Sequence, residues 1–192
     1  MMEYTIHEEK HFEKQSYADA SYPVAEHEEC RFEACDFSNA DLSGSSFSGC
    51  VFDGCQFSMT KLGNTSFRNV IFKNCKMLGL HFEDCNPFLL SLHVDSCSIK
   101  LSSFLKMNLK KMQWTSSALH ELDFSEADLA NAVFKGCDLQ RSIFSSTNLE
   151  KADLSTSYNY SIDPERNRLK KAKFSLAGVV GLLDKYDIQI DL

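Results

Sequence analysis

Eight cysteines and six histidines are the residues of this 192-residue chain whose types could do chemistry. Thiolates and imidazoles hold zinc, and a thiolate beside an imidazole is a nucleophile. Their spacing supports neither use. The cysteines stand at 30, 35, 50, 55, 75, 85, 97 and 137, with no C-x-x-C pair, which argues against the common zinc arrangements. His7, His11, His27, His81, His93 and His120 are scattered, and His7 and His11, four apart, lie on no convincing helix. No phosphate-cradling P-loop and no G-x-G-x-x-G fingerprint occurs. The reading is a non-enzymatic protein, with no catalytic residue, cofactor or metal ligand assigned.

The cysteines follow a different rule. In 30–62, CRFEACDFSNADLSGSSFSGCVFDGCQFSMTKL, an aromatic residue or Leu recurs every fifth position: Phe32, Phe37, Leu42, Phe47, Phe52, Phe57, Leu62. Two residues before each stands something small: Cys30, Cys35, Ala40, Ser45, Cys50, Cys55, Thr60. A period of five fits neither a helix at 3.6 nor a strand at 2, and marks a repeat architecture. The phase holds to Phe82, breaks at EDCNPFLL, and resumes through Leu89, Val94, Ile99, Phe104, Leu109 and Trp114 to Leu154. From Phe82 to Leu89 is seven residues, so two are inserted. Asn86 and Pro87 suit a bulge over 83–88.

At this length one domain is expected. The net charge of −7 disfavours a simple nucleic-acid binder. No apolar run reaches the length of a membrane span, and the start, MMEYTIHEEKHFEKQ, lacks the apolar stretch of a secretory signal. A soluble cytoplasmic protein without disulfides is expected.

Units such as ADLAN, AVFKG, CDLQR and KADLS make the chain similar to the pentapeptide-repeat proteins, densely over 30–156 and loosely over 12–29. That resemblance implies an all-β fold, a right-handed quadrilateral β-helix in which four pentapeptides make one coil of twenty residues. Some seven coils are expected. Residues twenty apart should then stack: Phe32, Phe52 and Phe72; Phe37, Phe57 and Met77; Leu42, Leu62, Phe82, Phe104, Phe124 and Phe144; Phe47, Phe67, Leu89, Leu109, Leu129 and Leu149. Cys35, Cys55, Cys75, Cys97 and Cys137 fall into one small-residue column only if the bulge holds two residues. Their reading is packing. Cys85 is left apart, inside the bulge.

The flanks differ. Residues 1–29 hold eight acids (Glu3, Glu8, Glu9, Glu13, Asp19, Glu26, Glu28, Glu29) against two lysines, and read as an irregular acidic first coil. Residues 157–192 leave the repeat. Ser175 is placed to cap a short helix over about 176–186, and Ile188 and Ile190 alternate like a strand. Leu176, Val179, Val180, Leu182, Leu183, Tyr186 and Ile188 are more apolar residues than a cap needs. In related pentapeptide proteins the C-terminal segment joins two subunits, so a homodimer is expected.

The stretches IDPERNRLKKAKFS and CKMLGLHFEDCNPFLLS resemble those of quinolone-resistance (Qnr) proteins. The resemblance implies an acidic dimeric rod that imitates DNA on gyrase and topoisomerase IV and protects them from fluoroquinolones. Two longer loops typical of that group are missing here. The third face of the rod should carry the acids Asp41, Glu83, Asp84, Asp123 and Glu126 against Lys61 and Lys106; the fourth is mildly basic. A competing surface for some other protein partner is apolar: Phe88 and Leu90, with Leu78, Leu101 and Leu105, near the bulge.

Overall fold

The structure is a computed structural model that describes residues 5–190. Short strands of two to four residues pair in parallel with the strand one coil further on. The chain forms a right-handed four-sided β-helix of about eight turns. Phe12 lies in register with Phe32, Phe32 with Phe52 and Phe52 with Phe72; then Phe72 pairs with Val94, Val94 with Trp114 and Trp114 with Phe134. The step is twenty residues before the break, twenty-two across it and twenty after. This nine-stranded sheet is face one. Face two carries the column Phe57, Met77, Ile99, Leu119. Isolated bridges hold face three, from Ser21 through Asp41 to Lys61 and from His81 through Ser103 and Asp123 to Ile143. Face four begins as a four-stranded sheet over 5–68 and continues as bridges from Asn108 through Asp128 and Asn148 to Arg168.

Each position of the pentapeptide has its own physical reason. The central residue points inward and stacks on its neighbours, as in Phe32 on Phe52 at 4.7 Å and Phe37 on Phe57 at 4.9 Å between ring centroids. The residue two before it also points inward and is often small, as at Cys35, Ala40 and Cys55, because it shares the interior with four columns of large side chains; Leu80, Leu92, Met107, Met112 and Leu122 fill the same position elsewhere. Several of these residues also donate a hydrogen bond to the carbonyl of a central residue one coil below. Cys35, Cys55, Cys75 and Cys97 direct Sγ to the carbonyls of Phe12, Phe32, Phe52 and Phe72 at 3.3–3.4 Å. Thr60, Thr65 and Thr147 do the same through Oγ1 at 2.8–2.9 Å. All eight cysteines are free and buried, and burial pushes the Cys50 thiol up to about 12 and that of Cys137 to about 11. Cys50 and Cys137 are thiols in a packed wall. The residue before the centre is often Asp because its carboxylate holds the turn: Asp36, Asp41, Asp123 and Asp153 accept the backbone N–H two residues on, at 2.8–3.0 Å. The corner residue adopts the left-handed region, as at Asn39 (φ 56°) and Gly54 (φ 67°), which Asn and Gly tolerate best.

The structure departs from the sequence reading in four places. Cys85 is not part of the bulge. It is buried, and Asn86 N–H still bonds the Thr65 carbonyl in ordinary register, so the insertion falls after it, over 87–91. Leu89, expected in the fourth column, is 61% exposed with φ 57°, and Leu90 packs against the core instead. Asn86 Oδ1 accepts Phe88 N–H at 2.9 Å and Pro87 fixes its own φ, so the chain turns outward at Phe88 and Leu89 before returning.

The first coil is regular over the described residues. Thr5–Glu8 pairs with Ala25–Glu28 and His11–Glu13 with Arg31–Glu33; Glu3 lies outside the described residues. His27 is therefore a core residue, fully buried and stacked at 4.8 Å on Phe47. At the other end the backbone completes a further coil to Phe174, which is paired with Leu154. Asn167 takes the donor role there, bonding the Phe144 carbonyl at 3.0 Å. The expected helix is two 3₁₀ segments, Ala177–Leu182 and Asp184–Tyr186, and 187–190 form no strand. Gly178 and Gly181 lower helix propensity, and Asp187 turns left-handed (φ 49°).

Candidate functional site

Among the described residues no group of three or more His, Cys, Asp or Glu is arranged to hold a metal ion, and no helix is long and apolar enough to cross a membrane. The interior is filled by side chains. What the chain presents to other molecules is its outer faces, the bulge and the tail.

The five acids expected on face three lie there, at alternate rungs. Asp41 is followed one coil on by Lys61, then Glu83 and Asp84, then Lys106, then Asp123 and Glu126. With strands about 4.8 Å apart, the acidic rungs recur about every 10 Å. Several of these carboxylates already have partners. Asp41 accepts Ser43 N–H at 3.0 Å, and bonds from the Ser43 hydroxyl and backbone hold its carboxyl below the usual range. Asp123 accepts Ser125 N–H at 2.8 Å. Glu83 lies 3.1 Å from His81 Nδ1, and Glu126 lies 3.6 Å from Lys106. Asp84 is exposed. The face is a series of acidic rungs separated by lysines.

A second acidic surface escapes a reading by faces of the regular repeat alone. On face four, Glu8 pairs in register with Glu28 and exposed Glu9 and Glu29 stand at the adjoining corner. Like charges directly opposite on neighbouring strands destabilise a sheet. The signal was present in the sequence as a twenty-residue separation within the acidic N-terminus.

The apolar residues expected near the bulge separate into two groups. Leu78 and Leu101 lie with Met59 at the corner between faces two and three, 39%, 59% and 57% exposed. Phe88 and Leu89 project from face four, with the Arg68 guanidinium 6.0 Å from the Phe88 ring centroid. Leu90 forms the floor between two clefts. One, of about 430 Å³, is lined by Glu83, Pro87, Leu105, Lys106 and Asn108; the other, of about 410 Å³, by Asn69, Ile71, His93, Lys110 and Lys111.

The tail is seated by its glycines. A Cβ at Gly181 would overlap the Tyr160 carbonyl oxygen, and one at Gly178 the Tyr160 hydroxyl. Ile162 N–H bonds the Gly181 carbonyl at 2.9 Å, and Ser175 Oγ accepts Gly178 N–H at 2.9 Å. Lys185 bridges Asp163 (2.8 Å) and Glu165 (2.7 Å), and its ammonium holds both carboxyls below their ordinary values. Leu182 packs on the core, and Val180 and Leu183 are half-buried. Leu176, Val179, Tyr186 and Ile188 are exposed, Leu176 to 92%. Gly181→Ala is expected to unseat the tail, because the added methyl meets rigid backbone rather than a movable side chain. Trypsin should then cut at Lys185 at least about tenfold faster, the equivalent of about 1.4 kcal/mol of lost local protection; an unchanged cleavage rate would remove the assigned contact.

Comparisons with known proteins agree with the geometry. A family model for a pentapeptide repeat region matches residues 25–104, and one for eight copies of the pentapeptide repeat matches residues 119–157. No curated protein sequence matches the chain. Among solved structures, the chain is similar to HetL, a pentapeptide repeat protein involved in heterocyst differentiation regulation from the cyanobacterium Nostoc sp. strain PCC 7120. The TM-score is 0.68 at 16% identity, covering 90% of this chain and 86% of HetL. It also aligns with full-length QnrB1, a plasmid-mediated fluoroquinolone resistance protein, with a TM-score of 0.49 at 18% identity over 95% of this chain and 100% of that one. The repeat models span well over half of the sequence, the stacked columns reproduce the repeat in space, and the chain belongs to the pentapeptide-repeat family.

Proposed function

We propose that this protein is a non-enzymatic binding protein that occupies the DNA-binding surface of a type II topoisomerase, DNA gyrase or topoisomerase IV, and protects the enzyme from fluoroquinolones. The observation that carries the reading is the regular recurrence of acidic rungs along face three of a solid rod. A basic DNA-binding cleft selects a linear array of negative charge on a stiff support. The likeness of 75–91 and 162–175 to Qnr sequences supports the choice of this enzyme class. With no long loops, contact would be made by the faces themselves. The active form is a homodimer joined through the tail, whose apolar residues Leu176, Val179, Tyr186 and Ile188 turn away from their own coil.

A supercoiling assay with purified gyrase, with and without ciprofloxacin, tests the reading. Inhibition or protection is expected at micromolar protein, and Asp84→Lys with Glu126→Lys should weaken it about tenfold, since reversed charges repel a basic cleft. Absence of inhibition, protection and binding would overturn it. For the dimer, Leu176→Asp should give a monomer by sedimentation at about 500 mM NaCl, where salt screens charged contacts between faces; an unchanged dimer at that salt contradicts the assignment of the tail. The alternative is a scaffold for a different protein partner, favoured by the exposure of Phe88 and Leu89.

A further inference from the structure

Face four is polarised along the rod, and the bulge lies at its middle. Its nine rungs are centred on His7, His27, Phe47, Phe67, the bulge at Leu90, Leu109, Leu129, Leu149 and Leu169. The first two rungs carry Glu8, Glu9, Glu28 and Glu29, all exposed. The last two carry Lys151, Lys170 and Lys171, exposed, with Arg168 bound to Glu150 at 2.8 Å. The fifth rung carries the projecting Phe88 and Leu89 between its two clefts. An acidic end, a basic end and an apolar knob halfway between them make a surface that is complementary to itself.

The geometry points to a second copy of this chain as the occupant of face four, antiparallel, with the two-fold axis passing through the bulge. Such an isologous pair sets the first rung of one copy against the ninth of the other and the second against the eighth. Glu8 and Glu9 then meet Lys170 and Lys171, and Glu28 and Glu29 meet the rung of Lys151 and of Glu150, whose charge Arg168 already holds at 2.8 Å. The fifth rung meets itself, so that the Phe88–Leu89 knobs of the two copies pack against each other at the axis. Apolar contact at the centre with charge at the ends is the usual anatomy of a protein interface. The fourth rung opposes the sixth, bringing Arg68 towards Lys110 and Lys111. Two of these cations are already engaged on their own chain, Arg68 near the Phe88 ring (6.0 Å) and Lys110 with Asp128 (3.0 Å). Nine rungs at about 4.8 Å, on a face about 10 Å wide, offer roughly 400 Å² per copy, half of a standard interface. The pairing is accordingly weak and salt-sensitive. It is independent of the topoisomerase reading and of the tail dimer.

Sedimentation of the full chain at about 50 mM and about 500 mM NaCl tests it, since salt screens the charged ends. Association is expected to weaken at least about tenfold at the higher salt. Glu8→Lys with Glu28→Lys, and separately Lys151→Glu with Lys171→Glu, should each abolish the low-salt step, and an equimolar mixture of the two variants should restore it. Phe88→Asp should abolish it with the charged ends intact, and Leu176→Asp should leave it in place. Association indifferent to salt and to Phe88→Asp, loss of the step in Leu176→Asp, or a variant mixture that stays apart would each overturn the pairing. Circular dichroism of every variant confirms that these exposed substitutions leave the rod folded.

Discussion

Phe104→Ala is expected to destabilise the protein by about 4 kcal/mol and to make the two halves of the rod unfold separately. Phe104 is fully buried, stacked at 4.4 Å on Phe82 and at 5.4 Å on Phe124, and it meets Trp114 edge-on at 5.3 Å. Removing the ring leaves a cavity that the coils cannot close, because backbone ladders fix their spacing. The position makes the effect larger than a generic core truncation. Each coil of a solenoid touches only its neighbours, so its cooperativity is as strong as its weakest junction. At the bulge, face four has lost its regular ladder, face one joins Phe72 to Val94 and face two joins Met77 to Ile99. Phe82 on Phe104 is the aromatic stack that crosses the break. Trp114, the single Trp, lies beyond it and reports the second half alone. In urea, fluorescence and circular dichroism should give coincident transitions for the natural chain and separated ones for Phe104→Ala. Coincident curves in the variant would show that the junction does not depend on this stack.

The columns were legible in the sequence because an error of one residue would point large side chains outward. Phe32, Phe52 and Phe72 admit one register, and Cys97 joins Cys75 only across a two-residue insertion. Where those two residues enter was not legible. Leu89 and Leu90 are equally apolar, and the choice between them is made by Pro87 and by the Asn86 carboxamide, a local turn that periodicity does not register. The residue type of His7 and His27 hides their phase: stepping back by twenty from Phe47 reaches both. The last coil was invisible for the opposite reason. Ile162 and Asn167 keep the five-residue beat at the position two before the centre, but neither is a small residue, Asn159 and Pro164 replace the large central ones, and Tyr160 is buried off the beat; the coil is closed by backbone bonds such as Arg168 N–H to the Thr147 carbonyl at 3.0 Å. Of the outer surfaces, composition registered the acidic N-terminus but not the register that sets Glu8 on Glu28, since charge counts carry no direction.

His27 should make the protein lose up to about 3 kcal/mol of stability as pH falls from 6.5 to about 4, and His27→Phe should remove that loss. The imidazole is fully buried between His7 and Phe47, with Nε2 2.9 Å from the Tyr22 hydroxyl. Burial first, and then the neighbouring His7, lower its pKa to about 4. The unfolded chain takes up a proton near pH 6.5, whereas the folded one holds the ring neutral until about pH 4. Stability is therefore complete above pH 6.5 and declines through that window. Phenylalanine continues the column of Phe47 and Phe67 without titrating, but it leaves the Tyr22 hydroxyl buried without its partner, at a cost of about 1–3 kcal/mol. The two effects have different pH dependence, which separates them. At pH 7 the single variant should be no more stable than the natural chain, and near pH 4.5 it should be the more stable of the two. Adding Tyr22→Phe removes the stranded hydroxyl and should raise stability at both pH values. Parallel stability curves between pH 6.5 and 4 would mean that the imidazole is hydrated and that the first coil opens where the fold closes it.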